Sequence, residues 1–71
     1  MDATERELLT GMGNCYAACG ADFEGTVEMV ANARRISPAE VKTRLARMKH
    51  LYGSEVEYRQ LRERLPATFP L

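Results

Sequence analysis

The sequence predicts an all-α domain, a compact bundle of four short helices with no strands. Three observations predict it. Apolar residues recur with a period near 3.6, and no run alternates apolar with polar as a half-buried strand would. Ser or Thr followed three residues later by Glu, the capping-box signature, occurs at Thr4, Ser37 and Ser54. Gly or Pro falls where the periodic runs end. With 71 residues the chain makes one helical domain over 1–65, followed by a flexible Pro-containing tail at 66–71. A domain this small buries only roughly 60% of the surface of its unfolded chain. There are two cysteines and no zinc pattern, so the usual staples of a small core are missing and a homodimer or another protein partner is expected.

The first helix is expected to start at Thr4, boxed by Glu7, and to line up Leu8, Leu9, Met12, Cys15, Tyr16 and Cys19 on one face before Gly20 ends it. Gly11 and Gly13 each cost up to ~1 kcal/mol relative to Ala inside it. A second helix is expected from Asp22 or Gly25 to Arg35, with Phe23, Val27, Val30 and Ala33 inward. The third has the clearest borders: Ser37 caps it, Pro38 takes the first helical position, Glu40 closes the box, and Gly53 stands beyond its end. Val41, Leu45, Met48 and Tyr52 form its buried stripe. A fourth, Glu55 to Leu65, opens on the Ser54 and Glu57 box, turns Tyr58, Leu61 and Leu65 inward and stops at Pro66. Residues 66–71 should fray unless Phe69 and Leu71 find a groove.

Ten basic residues balance ten acidic ones, but unevenly along the chain. Residues 1–33 hold Asp2, Glu5, Glu7, Asp22, Glu24 and Glu28 against Arg6, whereas residues 34–71 hold nine basic and four acidic groups. A basic second half suits phosphates or an acidic protein, although zero net charge removes the long-range pull of a strongly cationic nucleic-acid binder. No basic leader with an apolar run opens the chain, and no apolar stretch approaches a membrane span. A cytoplasmic location is expected, where free thiols are the default.

Only Arg35, Ile36 and Ser37 separate the second and third helices, which favours a steep crossing, the geometry of a helix-turn-helix whose second helix enters the DNA major groove. Thr26, Val30-Ala31, Ile36-Ser37-Pro38-Ala39, Val41 and Leu45 resemble the bacterial helix-turn-helix family over residues 26–45, under a third of the chain. The resemblance implies that Ala31 admits the second helix closely, Ile36 plugs the turn, and Val41 and Leu45 anchor a recognition helix. Before the turn, where the family commonly has an apolar residue and then Gly, this chain has Arg34-Arg35. If position 35 needs a left-handed backbone, Arg is unfavourable there by roughly 1 kcal/mol, and Arg34 falls on the apolar stripe, where only its stem can be buried.

With the stripe of the third helix inward, Ala39, Thr43, Ala46, Arg47 and His50 face outward, flanked by Lys42 and Lys49 on one side and Arg44 on the other. The expected DNA contacts are Ala39 and Thr43 to thymine methyls, Lys42 and Arg47 to guanine, Arg34 and Arg35 to the backbone, and His50 as a pH-sensitive contact. Glu40 is an awkward neighbour for phosphate. A basic patch continuous from Arg34 through Lys42 to Arg47 would favour DNA.

Each feature also has a plainer reading. A charged outer face is ordinarily a solvated one, and Arg59, Arg62 and Arg64 are mixed with Glu55, Glu57 and Glu63 in the manner of intrahelical pairing. Cys15 and Cys19 stand one turn apart on the inner side, and two thiols with no His or Cys companion are core packing rather than structural zinc. No P-loop ending accompanies the glycines. No nucleophile is paired with a base and no carboxylate pair suggests a cleft, so neither enzyme activity, a cofactor nor a small-molecule substrate is expected. The leading expectation is therefore a small helix-turn-helix regulator of transcription that binds double-stranded DNA. The alternative is a helical interaction or assembly module without nucleic-acid binding, using its acidic first half or apolar tail.

Overall fold

The computed structural model describes residues 1–71 as four helices and no strands: α1 Ala3–Cys19, α2 Phe23–Arg34, α3 Pro38–Tyr52 and α4 Val56–Arg62. The helix α1 packs against all three others, and α2 packs against α3. The fold measures 27 × 21 × 18 Å. No helix is long and apolar enough to cross a membrane.

A capping box does open α1, two residues earlier than expected. The Glu5 N–H donates to the Asp2 carboxylate at 2.8 Å, and the Asp2 N–H donates back to the Glu5 side chain at 3.0 Å. Asp2 competes with Thr4 for the same spacing and wins as a charged acceptor at the positive end of the helix. Glu7 turns instead to Arg34 on α2. At the far end Gly20 takes the left-handed conformation (φ 62°) and its N–H donates to Tyr16 O, which only glycine does without strain. Gly13 is explained by close approach: a Cβ there would stand 3.2–3.3 Å from the Arg64 side chain, so the bare backbone lets Arg64 lie across α1.

Asp22 caps α2 by accepting from the Gly25 N–H at 2.8 Å. Its buried stripe is Thr26, Val27, Val30 and Ala31. Ala33, expected inward, is exposed, because Arg34 continues that stripe and the helix is rotated accordingly. Thr26 is the one buried polar side chain, and its hydroxyl donates to Asp22 O at 2.8 Å. Ser37 caps α3 by accepting from the Glu40 N–H at 3.1 Å, but the reciprocal half of the expected box is missing. The Glu40 carboxylate accepts from Arg44 one turn on, at 3.0 Å.

The fourth helix is shorter than expected. Glu55 precedes it with no side-chain cap, because Glu57, the expected capping partner of Ser54, pairs with Arg6 of α1. After Arg62 the backbone tightens into bonds from Arg64 N–H to Leu61 O and Leu65 N–H to Arg62 O, as the approach of Pro66 disfavours continued helix.

The core comprises Leu8, Leu9 and Met12 of α1, Val27, Val30 and Ala31 of α2, Val41, Leu45 and Met48 of α3, with Tyr58, Leu65 and Phe69. Each fully buried aliphatic contributes roughly 1.5–3 kcal/mol. Phe69 belongs to the segment expected to fray, and its burial corrects that expectation: the ring is 6% exposed and meets the rings of Tyr16 and Phe23 edge-on, both at 5.5 Å. The Arg62 guanidinium holds the segment down by donating to the carbonyls of Leu65 (3.0 Å), Ala67 (3.3 Å), Phe69 (3.0 Å) and Leu71 (3.4 Å). One planar fork thus satisfies four backbone acceptors. Cys15 is half-buried against the core, whereas Cys19, expected beside it, is exposed.

Candidate nucleic-acid interface

The turn between α2 and α3 is built on a left-handed residue that is not glycine. Arg35 has φ 57° and ψ 41° and is the only non-glycine residue with positive φ. The Arg35 N–H donates to Asn32 O at 3.3 Å, and the Ile36 N–H donates to Ala31 O at 3.0 Å. This pair of bonds is a Schellman motif, which satisfies the carbonyls of Ala31 and Asn32 in the last turn of α2. Ile36 packs partly buried against the core beside it. The turn delivers Ser37 to cap α3 and fixes which face of α3 points outward.

Val41, Leu45 and Met48 are buried, so Ala39, Thr43, Arg47 and His50 are all exposed on the opposite face, as the spacing predicts. Arg35 is also exposed. The other two site candidates are engaged within the chain. The Lys42 ammonium lies 2.6 Å from the Glu24 carboxylate on α2, and the Arg34 guanidinium 3.3 Å from that of Glu7 on α1. The expected patch from Arg34 through Lys42 to Arg47 is therefore interrupted twice by carboxylates. The acidic half of the sequence has folded onto the basic half.

A shallow depression of about 420 Å³ separates the start of α1 from α3, lined by Asp2, Thr4, Glu5, Glu40, Thr43, Arg44 and Arg47. Three carboxylates thus border the outward face of α3. Glu5 also accepts from the Tyr52 hydroxyl at 3.2 Å, and partial burial followed by that bond pushes the hydroxyl above the ordinary tyrosine value. Sequence reasoning named Glu40 but missed Asp2 and Glu5, because the start of α1 is remote from α3 in the chain. Beyond His50, Leu51 is half exposed and Val56 more so, which puts apolar surface at the α3–α4 corner. No group of three or more His, Cys, Asp or Glu side chains is placed to hold a metal.

No family model, no curated protein and no solved structure matches this chain.

Proposed function

We propose that this chain is a helical protein-interaction module that presents the outer face of α3, with Thr43, Arg47 and the adjoining depression, to a protein partner. The observation that carries this reading is the pairing of charge. Of the four cations expected to contact DNA through phosphate or guanine, Arg34 and Lys42 each have a carboxylate at 3.3 Å or closer, and Asp2, Glu5 and Glu40 border the depression beside Thr43 and Arg47. Exposed pairs are worth only about 0.2–1 kcal/mol and are easily broken. Their weight lies in the field, because a polyanion approaching α3 meets cations already accompanied by negative charge and a molecule with no net attraction. A mixed-charge face ending in Leu51 suits a protein surface better, with a polar rim beside an apolar anchor.

A second reading, a helix-turn-helix that enters the major groove, is favoured by one observation. The Ser37-capped start of α3 leaves Ala39, Thr43 and Arg47 exposed together, and the side chain of Arg35 stands beside it with no carboxylate partner. Regulation of transcription would follow from that reading.

Titrating the chain against random-sequence duplex DNA over a salt series, beside Lys42→Ala and Arg47→Ala, separates the two. No binding at low salt is expected. Affinity that falls as salt rises, with a shallower slope in the variants, overturns the protein-interaction reading. A photo-crosslinking group at position 43 is expected to give a discrete protein adduct in the native cell, and the same group at position 17 on α1 is not.

A further inference from the structure

The two cysteines are Cys15 and Cys19, both reduced, at i and i+4 in the closing turns of α1. That spacing stacks two side chains on one helix face, with Cβ atoms about 5–6 Å apart. The exposure of Cys19 removes the core-packing account for that residue. It leaves an outer thiol open to solvent and an inner one, Cys15, resting on the core. Met12, one turn earlier on the same stripe, is fully buried, so the inner flank of the pair is apolar.

We infer that this dithiol is a binding site for a soft cation that accepts two sulfur ligands, copper(I) being the biological member of that class. With metal–sulfur bonds about as long as the ~2.3 Å of zinc thiolates, two thiolates on opposite sides of a metal span ~4.6 Å, within the reach of side chains stacked one turn apart. Zinc is not served, because structural zinc takes four protein ligands and no third His, Cys, Asp or Glu side chain joins the pair. Thiolates select copper(I) by softness. A disulfide does not compete for the sulfurs, because side chains that run parallel along a helix do not meet at the dihedral angle of an S–S bond. On binding, each thiol gives its proton to solvent and two Cu–S bonds form. Copper stays in the +1 state, and nothing is oxidised or reduced.

The test is anaerobic titration of the reduced full chain with copper(I) supplied as a chromogenic chelator complex. Metal transfer is followed by loss of the chelator's colour, and the state of the chain by size-exclusion chromatography. One copper per chain, with no change in elution, is expected. Cys19→Ser, at an exposed position, leaves the thermal melt unchanged and weakens copper retention by roughly 100-fold or more, since the second ligand's effective concentration is lost. A variant combining Cys19→Ser with Ala17→Cys keeps two thiols but moves one two residues along the helix, onto another face, and also loses retention. Copper held equally well by Cys19→Ser, no uptake by the wild-type chain, or one copper shared by two chains with earlier elution overturns the assignment.

Discussion

Arg6 and Glu57 are joined by two parallel hydrogen bonds, Nε to Oε2 at 2.9 Å and Nη2 to Oε1 at 3.1 Å, and this fork binds the first turn of α1 to the first turn of α4. Those hydrogen bonds, more than the charge itself, hold the Glu57 carboxyl below the ordinary glutamate value. A carboxylate whose folded value is depressed stabilises the protein above its unfolded value, and that contribution is lost as pH falls through the folded one. Glu57→Gln is therefore expected to melt below the wild type at neutral pH, with the gap closing as pH drops beneath the carboxylate range. Melting curves of both proteins across that range check this, and a gap that persists in acid would show that the pair is not the cause.

Tyr58 is 3% exposed, and its hydroxyl oxygen is buried with no hydrogen-bond partner in the protein. Burial also pushes the phenol above its ordinary value. An unpaired buried polar group costs about 1–3 kcal/mol, so Tyr58→Phe is expected to stabilise the fold by about 1 kcal/mol. For a domain of this length that raises Tm by roughly 4–8 °C. A lowered Tm would reveal a partner for the hydroxyl.

Arg35 holds a left-handed backbone that costs a side-chain-bearing residue about 1 kcal/mol. Arg35→Gly relieves it, at some cost in unfolded-chain entropy, and is expected to raise the denaturation midpoint without changing the slope. The same variant removes a cation from the candidate interface. Improved stability with unchanged binding to any duplex would detach the turn from nucleic-acid contact.

The Arg62 clamp depends on a planar fork that Lys cannot reproduce. Arg62→Lys is expected to keep the charge, lose most of the four carbonyl bonds, and destabilise the fold by roughly 1–3 kcal/mol. Faster amide exchange at Leu65, Phe69 and Leu71, with little change in the middle of α3, is the signature to look for. Uniform acceleration across the chain would mean that Arg62 supports the whole core.

Gly11 differs from Gly13 in a way that can be measured. A Cβ at Gly11 meets nothing within 4 Å, so Gly11→Ala is expected to gain about 0.5–1 kcal/mol of helix stability. Gly13→Ala crowds the Arg64 side chain and should gain less or lose. Equal gains at both positions would contradict the close packing of Arg64 on α1.

What could be read from the sequence was local. Ser37, Gly20 and the stripe of α3 were legible because caps and helical period act within a few residues, whereas the start of α2 was left between Asp22 and Gly25. The misplaced boxes share a cause: Glu7, Glu40 and Glu57 each had a competing cation, and for Glu7 and Glu57 it lay on a different helix. The outward face of α3 was read correctly residue by residue, yet its electrical character was not. Of the carboxylates that border it, only Glu40 is local to α3; Asp2 and Glu5 stand at the start of α1, and Glu24, which takes Lys42, belongs to α2. The docking of Phe69 was stated only as a condition, since nothing near it in the chain announces Tyr16 and Phe23 as its receptor.

The Arg6–Glu57 fork joins residues 51 positions apart, and Phe69 reaches back just as far to Tyr16. Loops of that span are closed at an entropic cost that local helix formation does not meet. During synthesis α1, α2 and α3 can therefore pair with one another before residues 56–71 join them, while the contacts of Arg6 with Glu57 and of Tyr16 with Phe69 must wait for those residues. Until then the side of α1 that receives α4 and Phe69 lacks its cover, and Tyr16 is the apolar surface a chaperone would meet there.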